Sequence, residues 1–96
     1  MKLKTIDINA SEWFDKINGN SYFSGDITLN YGMKTEKTLF MPFQYGYGNH
    51  YVDEAENILV KNGYIKDIYH CLSRHCKEND IILRINKKEN CKKRDL

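Results

Sequence analysis

Ninety-six residues, 41% of them hydrophobic and 29% charged, describe one folded domain, because single cores span about 50–200 residues and this apolar content excludes a disordered chain. The net charge of +2 excludes a uniformly basic, nucleic-acid-coating surface. No apolar run reaches the roughly 18 residues of a membrane span, so no membrane partner is expected.

Residues 3–8 alternate, with Ile6 and Ile8 apolar, which predicts a short strand. The charges at Lys2, Lys4 and Asp7 leave no signal-peptide core, so the chain is expected to stay in the cytoplasm. Ser11 is placed to cap a short helix over Glu12–Ile17, with Trp13 and Phe14 as core anchors and Asn18-Gly19-Asn20 as its stop. A strand follows, in which Phe23, Gly25, Ile27, Leu29 and Tyr31 alternate with Tyr22, Ser24, Asp26, Thr28 and Asn30. Gly32-Met33-Lys34-Thr35 reads as a hairpin loop. The returning strand puts Leu39, Met41, Phe43 and Tyr45 on one face, with Thr38, Phe40 and Gln44 on the other. Pro42 cannot donate to a ladder, so this strand lies at an edge or carries a bulge, and an open edge there would permit a β-paired homodimer.

Periodicity stops at Tyr45-Gly46-Tyr47-Gly48-Asn49-His50-Tyr51, which predicts a loop. From Val52 it becomes helical, with Val52, Ala55 and Leu59 on one face and Asn62-Gly63 as the stop. A second helix is expected over Tyr64–Glu78, striped by Ile65, Ile68, Tyr69, Leu72 and Cys76, and then a last strand over Ile81–Ile85. The predicted architecture is therefore a single α+β domain over residues 1–86. It has a small antiparallel sheet in the order β-α-β-β-α-α-β, helices on one face, and a basic C-terminal tail over residues 87–96. From Arg84 onward there are six basic and two acidic residues, so this end carries +4 and the remainder −2.

Nothing in the sequence calls for a cofactor, and no catalytic signature is present. Cys71 and His75 stand four apart, as two ligands on one helix face would, and Cys91 offers a third. A structural zinc site wants four ligands, though, and Cys76 falls in the apolar stripe, so ordinary core and surface roles outweigh a metal site. Cys71 and Cys91 lack the flanking turn of a nucleophile. Asp53, Glu54 and Glu56 open a helix, where acids complement the dipole. The Gly46-Tyr47-Gly48 step has no third glycine at dinucleotide-binding spacing.

The tyrosine-rich segment carries the binding expectation. Tyr45, Tyr47, Asn49, His50 and Tyr51 combine large, low-entropy contact area with polar groups, as binding loops do; the competing reading is that the tyrosines staple the loop to the core. A nucleic-acid-binding alternative uses Lys87, Lys88, Lys92, Lys93 and Arg94 for phosphates.

Two stretches, Trp13-Phe14-Asp15-Lys16 with Gly19-Asn20-Ser21-Tyr22, and Pro42-Phe43-Gln44-Tyr45-Gly46-Tyr47-Gly48-Asn49-His50-Tyr51, resemble small accessory proteins of tailed bacteriophages. The resemblance implies a phage origin and transfers no catalytic residue. By analogy with small phage-encoded domains, it implies a non-enzymatic binding protein acting in the cytoplasm of the host bacterium. Such a protein would bind a host protein as an inhibitor of antiviral defence, in the manner of an anti-CRISPR.

Overall fold

The computed structural model describes residues 2–66 and 72–96. Strands β1 (Thr5–Asp15), β2 (Asn20–Leu29) and β3 (Lys37–Tyr45) come first. Helices α1 (His50–Lys61) and α2 (Leu72–Glu78), strand β4 (Ile82–Lys88) and a 3-10 turn at Lys93–Asp95 follow. The α+β class stands, but the order is β-β-β-α-α-β and the four-stranded sheet, β3-β2-β1-β4, is mixed.

The helix expected over Glu12–Ile17 is the second half of β1. Its aromatic residues suit a strand, and β2 supplies a partner at every position from Ile6↔Leu29 to Asp15↔Asn20, including Trp13↔Tyr22. Ladder pairing with a neighbouring strand outweighs one cap residue. The expected helix stop is instead the hairpin turn. Asp15 accepts from the backbone N–H of Ile17 (3.0 Å) and from the Asn18 side chain (2.7 Å), and Gly19 takes a positive φ of 70°.

Pro42 lies on the edge strand and in a bulge. Met41 faces Gly25 and Gln44 faces Phe23, so Pro42 and Phe43 together stand opposite Ser24. That extra residue reverses the alternation, and Phe43 and Tyr45 change faces relative to Leu39 and Met41.

β4 runs parallel to β1, from Thr5↔Ile82 to Ser11↔Lys88, where the sequence reading gave an antiparallel sheet. The chain leaves β3 at the hairpin end of the sheet, and α1 carries it back to the opposite end, where Lys37 lies over the Tyr64 ring at 5.9 Å. Beyond α2 the Ile82 N–H donates to Lys4 O at 3.0 Å, so β4 starts beside the start of β1 and runs in its direction. Asn62-Gly63 does end α1: the Tyr64 N–H reaches Leu59 O at 2.9 Å across Gly63 at φ 78°. Helix α2 is seen from Leu72; the expected stripe residues Ile68 and Tyr69 lie outside the described residues, and Tyr64–Lys66 are not helical.

The helices cover one sheet face. Ile6, Ile8, Phe23, Ile27, Leu29 and Met41 pack there against Tyr51, Ala55, Leu59, Leu72 and Cys76, each large side chain contributing about 1.5–3 kcal/mol on burial. Asn30 is the buried polar residue. Its Oδ1 accepts from the N–H of Lys4 (2.7 Å) and Thr5 (3.3 Å), and its amide donates to Lys2 O (3.0 Å) and Thr35 Oγ1 (2.9 Å). The residues before β1 are thereby tied to the end of β2.

Candidate binding surface

No described helix crosses the second sheet face, and that face carries aromatic side chains. Trp13 from β1, Tyr22 from β2 and Phe43 from β3 form a cross-strand row, with centroids 5.5 Å apart for Trp13–Tyr22 and 5.2 Å for Tyr22–Phe43, both stacked. Tyr45 meets Tyr22 edge-on at 5.9 Å. Phe40 is 73% exposed, Phe43 45% and Tyr45 56%, an apolar concentration that soluble surfaces usually reserve for contact. Beside it a shallow groove of about 490 Å³ has Phe40, Pro42 and Phe43 on one side and Lys88, Asp95 and Leu96 on the other.

The face owes its character to local rules. Trp13 and Tyr22 oppose each other in register, the bulge delivers Phe43 and Tyr45, and Phe40 opposes Asp26 on the polar side of the ladder. A signal for two of these was present in the sequence, since Tyr22 and Phe40 interrupt otherwise polar strand faces. Trp13 was expected in the core and lies half-buried on this face, because a strand, not a helix, presents it.

The structure divides the tyrosine-rich segment. Tyr45 joins the aromatic face, and Tyr47 and Asn49 are exposed. His50 is exposed but its ring abuts Phe23 at 5.7 Å. Tyr51, 7% exposed, belongs to the core. Gly46 leaves the space this packing needs: a Cβ there would stand 2.7 Å from Phe23 Cε1.

The basic tail also divides. Lys87 is in β4, not in a tail, and its ammonium donates to Glu12 Oε2 (3.2 Å) and Gly48 O (3.1 Å), pairs with Glu89 at 3.4 Å, and lies over the Tyr51 ring at 5.6 Å. Desolvation alone would lower its pKa, but the hydrogen bonds and charges of Glu12 and Glu89 outweigh this and raise it above the ordinary lysine value. Lys87 thus clamps β1, the loop before α1 and the chain end together. Lys88 also ends β4. Beyond it, the Cys91 N–H donates to Glu12 O at 3.0 Å, Lys93 lies over the Trp13 ring at 5.6 Å, and Asp95 accepts from the Lys92 N–H at 3.0 Å. Lys92, Lys93 and Arg94 are exposed on this ordered segment. The β1–β2 turn, the tyrosine-rich loop and the basic segment therefore meet at one end of the sheet.

Arg84 makes a two-pronged contact with Asp7, at 2.5 and 2.9 Å. Asp15 is held below the usual carboxylate range, chiefly by the Asn18 side-chain amide. Desolvation opposes this, and the backbone N–H groups of Asn18 and Ile17 and the Lys93 charge reinforce it. Burial pushes the Cys76 thiol up to about 11. Among the described residues no three His, Cys, Asp or Glu side chains converge on a metal site; Cys71 of the Cys71–His75 pair lies outside them. No described helix is long and apolar enough to cross a membrane.

Comparison with protein-family models, curated proteins and solved structures returns no match. Fold and surface define the class here: a small α+β protein with one open, aromatic sheet face.

Proposed function

We propose that this chain is a non-enzymatic binding protein that works by covering a surface of a host protein, as a phage-encoded inhibitor of antiviral defence would. The observation that carries the reading is the sheet face that no described helix covers, where Phe40, Phe43 and Tyr45 are exposed around the Trp13–Tyr22 stack. Aromatic anchors of this kind dominate protein interfaces. Both sheet edges are poor templates for strand addition: Pro42 and its bulge interrupt β3, and Arg84, Lys87 and Lys88 charge β4. The face is thus a better contact than either edge.

The test uses a Phe40→Ser, Phe43→Ser, Tyr45→Ser variant with unchanged circular dichroism. Tagged and mixed with nuclease-treated bacterial lysate, it should lose the protein that the parent chain captures. Capture at parental yield would overturn the assignment of this face. The nucleic-acid reading, through Lys88, Lys92, Lys93 and Arg94, requires instead that capture vanish with nuclease and fall steeply with salt.

A further inference from the structure

Resting on the binding reading above, we infer that the groove beside β1 at the hairpin end of the sheet takes an acidic polypeptide segment bearing bulky apolar side chains. β1 outruns β4: the last pair is Ser11↔Lys88, while β1 continues to Asp15. Past that point β2 still pairs with β1, but no described strand pairs with its other edge. A groove of about 470 Å³ opens instead, lined by Trp13, Phe14, Lys16, Ile17, Lys92 and Lys93. Its apolar walls face water, Phe14 at 48% and Ile17 at 93% exposure.

The charges set the sign of the partner. Asp15, the acid lining this groove, already has its oxygens engaged by Ile17 and Asn18. Lys16 and Lys92 have no carboxylate within 4.0 Å among the described residues. The groove therefore offers apolar surface beside cations that lack an internal partner, a match for carboxylates next to aliphatic or aromatic side chains.

Ring geometry separates a polypeptide from a nucleic acid. Trp13 and Phe43 both stack on Tyr22, and Lys93 lies over Trp13. Trp13, the ring of this set that lines the groove, is therefore already engaged by Tyr22 and Lys93. Edges carry the positive end of the aromatic quadrupole and suit carboxylate oxygens, whereas single-stranded bases need open faces to stack on.

Trp13 is the only tryptophan, so its emission reports occupancy directly. The folded chain is titrated at low salt with a Glu-rich peptide interspersed with Leu, with its Lys-for-Glu counterpart, and with an oligothymidylate of equal charge. The Glu/Leu peptide should give a saturable change, weakened roughly three- to tenfold in Lys16→Gln, Lys92→Gln, as two exposed ion pairs imply. Silence toward that peptide, equal affinity of the double variant, or tighter binding of the oligothymidylate would each overturn the inference. If the peptide fails while the Phe40/Phe43/Tyr45 variant still loses its cellular partner, this inference falls and the binding reading stands.

Discussion

Replacing Asn30 with glycine isolates what one buried side chain contributes to this fold. Asn30 sits at φ 52°, a left-handed conformation that costs glycine nothing, so Asn30→Gly preserves the backbone and deletes the side-chain hydrogen bonds. Lys2 and Thr35 are exposed and recover water as a partner. Lys4 is exposed as well, so the half-buried Thr5 N–H, which shares Oδ1 with the Lys4 N–H and lies 3.3 Å from it, is the donor that the variant leaves uncompensated. At about 1–3 kcal/mol for a buried donor left unmatched, the expected loss for this half-buried one is about 1–2 kcal/mol. A domain of this size has a total stability of about 5–10 kcal/mol, and such a loss lowers Tm by roughly 5–15 °C. Asn30→Ala should lose about 1 kcal/mol more, because alanine also bears the left-handed strain. Urea and thermal unfolding followed by circular dichroism measure both variants, with an unchanged urea slope confirming an unchanged unfolding reaction. A glycine variant within about 0.5 kcal/mol of the parent, well under one net hydrogen bond, would refute the claim that Asn30 pins the chain start to β2.

The Lys87 clamp and the Cys76 thiol give two further tests. Lys87→Met should destabilise by about 1–3 kcal/mol through the stranded Glu12 carboxylate, and Lys87→Met with Glu12→Gln should recover part of it; strict additivity in that double-mutant cycle would dissolve the pair. Because the folded state raises the Lys87 pKa, its contribution is fully present below the free lysine value and is lost as pH rises through the folded one. Cys76, buried at 1% exposure with its pKa raised from 9.0 to about 11, should resist alkylation at pH 8 in the folded chain and react in denaturant, read by peptide mapping. The raised pKa also predicts stability falling between about pH 9 and 11, since the unfolded thiol ionises first. Rapid labelling of Cys76 under native conditions would contradict its place in the core.

Much of the skeleton was written in local pattern. The β2 alternation, the Asn62-Gly63 stop and the edge-and-bulge reading of Pro42 all follow from short-range sterics and hydrogen-bonding capacity, which a reader of the chain can apply residue by residue. Tyr45, expected to make partner contacts, is exposed at the edge of the aromatic row. What pattern could not supply were partners. Trp13 and Phe14 became strand because Tyr22 and Ser21 stand opposite them. The bulge then moved Phe43 and Tyr45 to the open face by inserting one residue into a period of two, and Tyr51 went into the core because α1 begins at His50. Lys87 left the basic tail because Glu12, 75 positions away, waits for it across the sheet. The sequence by itself determined the α+β class, the turns and the apolar stripe of α1, each a property of neighbours along the chain. Only the tertiary structure decided which face the aromatics share, that β4 runs parallel, and which cations remain without a partner, because those depend on contacts between residues far apart in sequence.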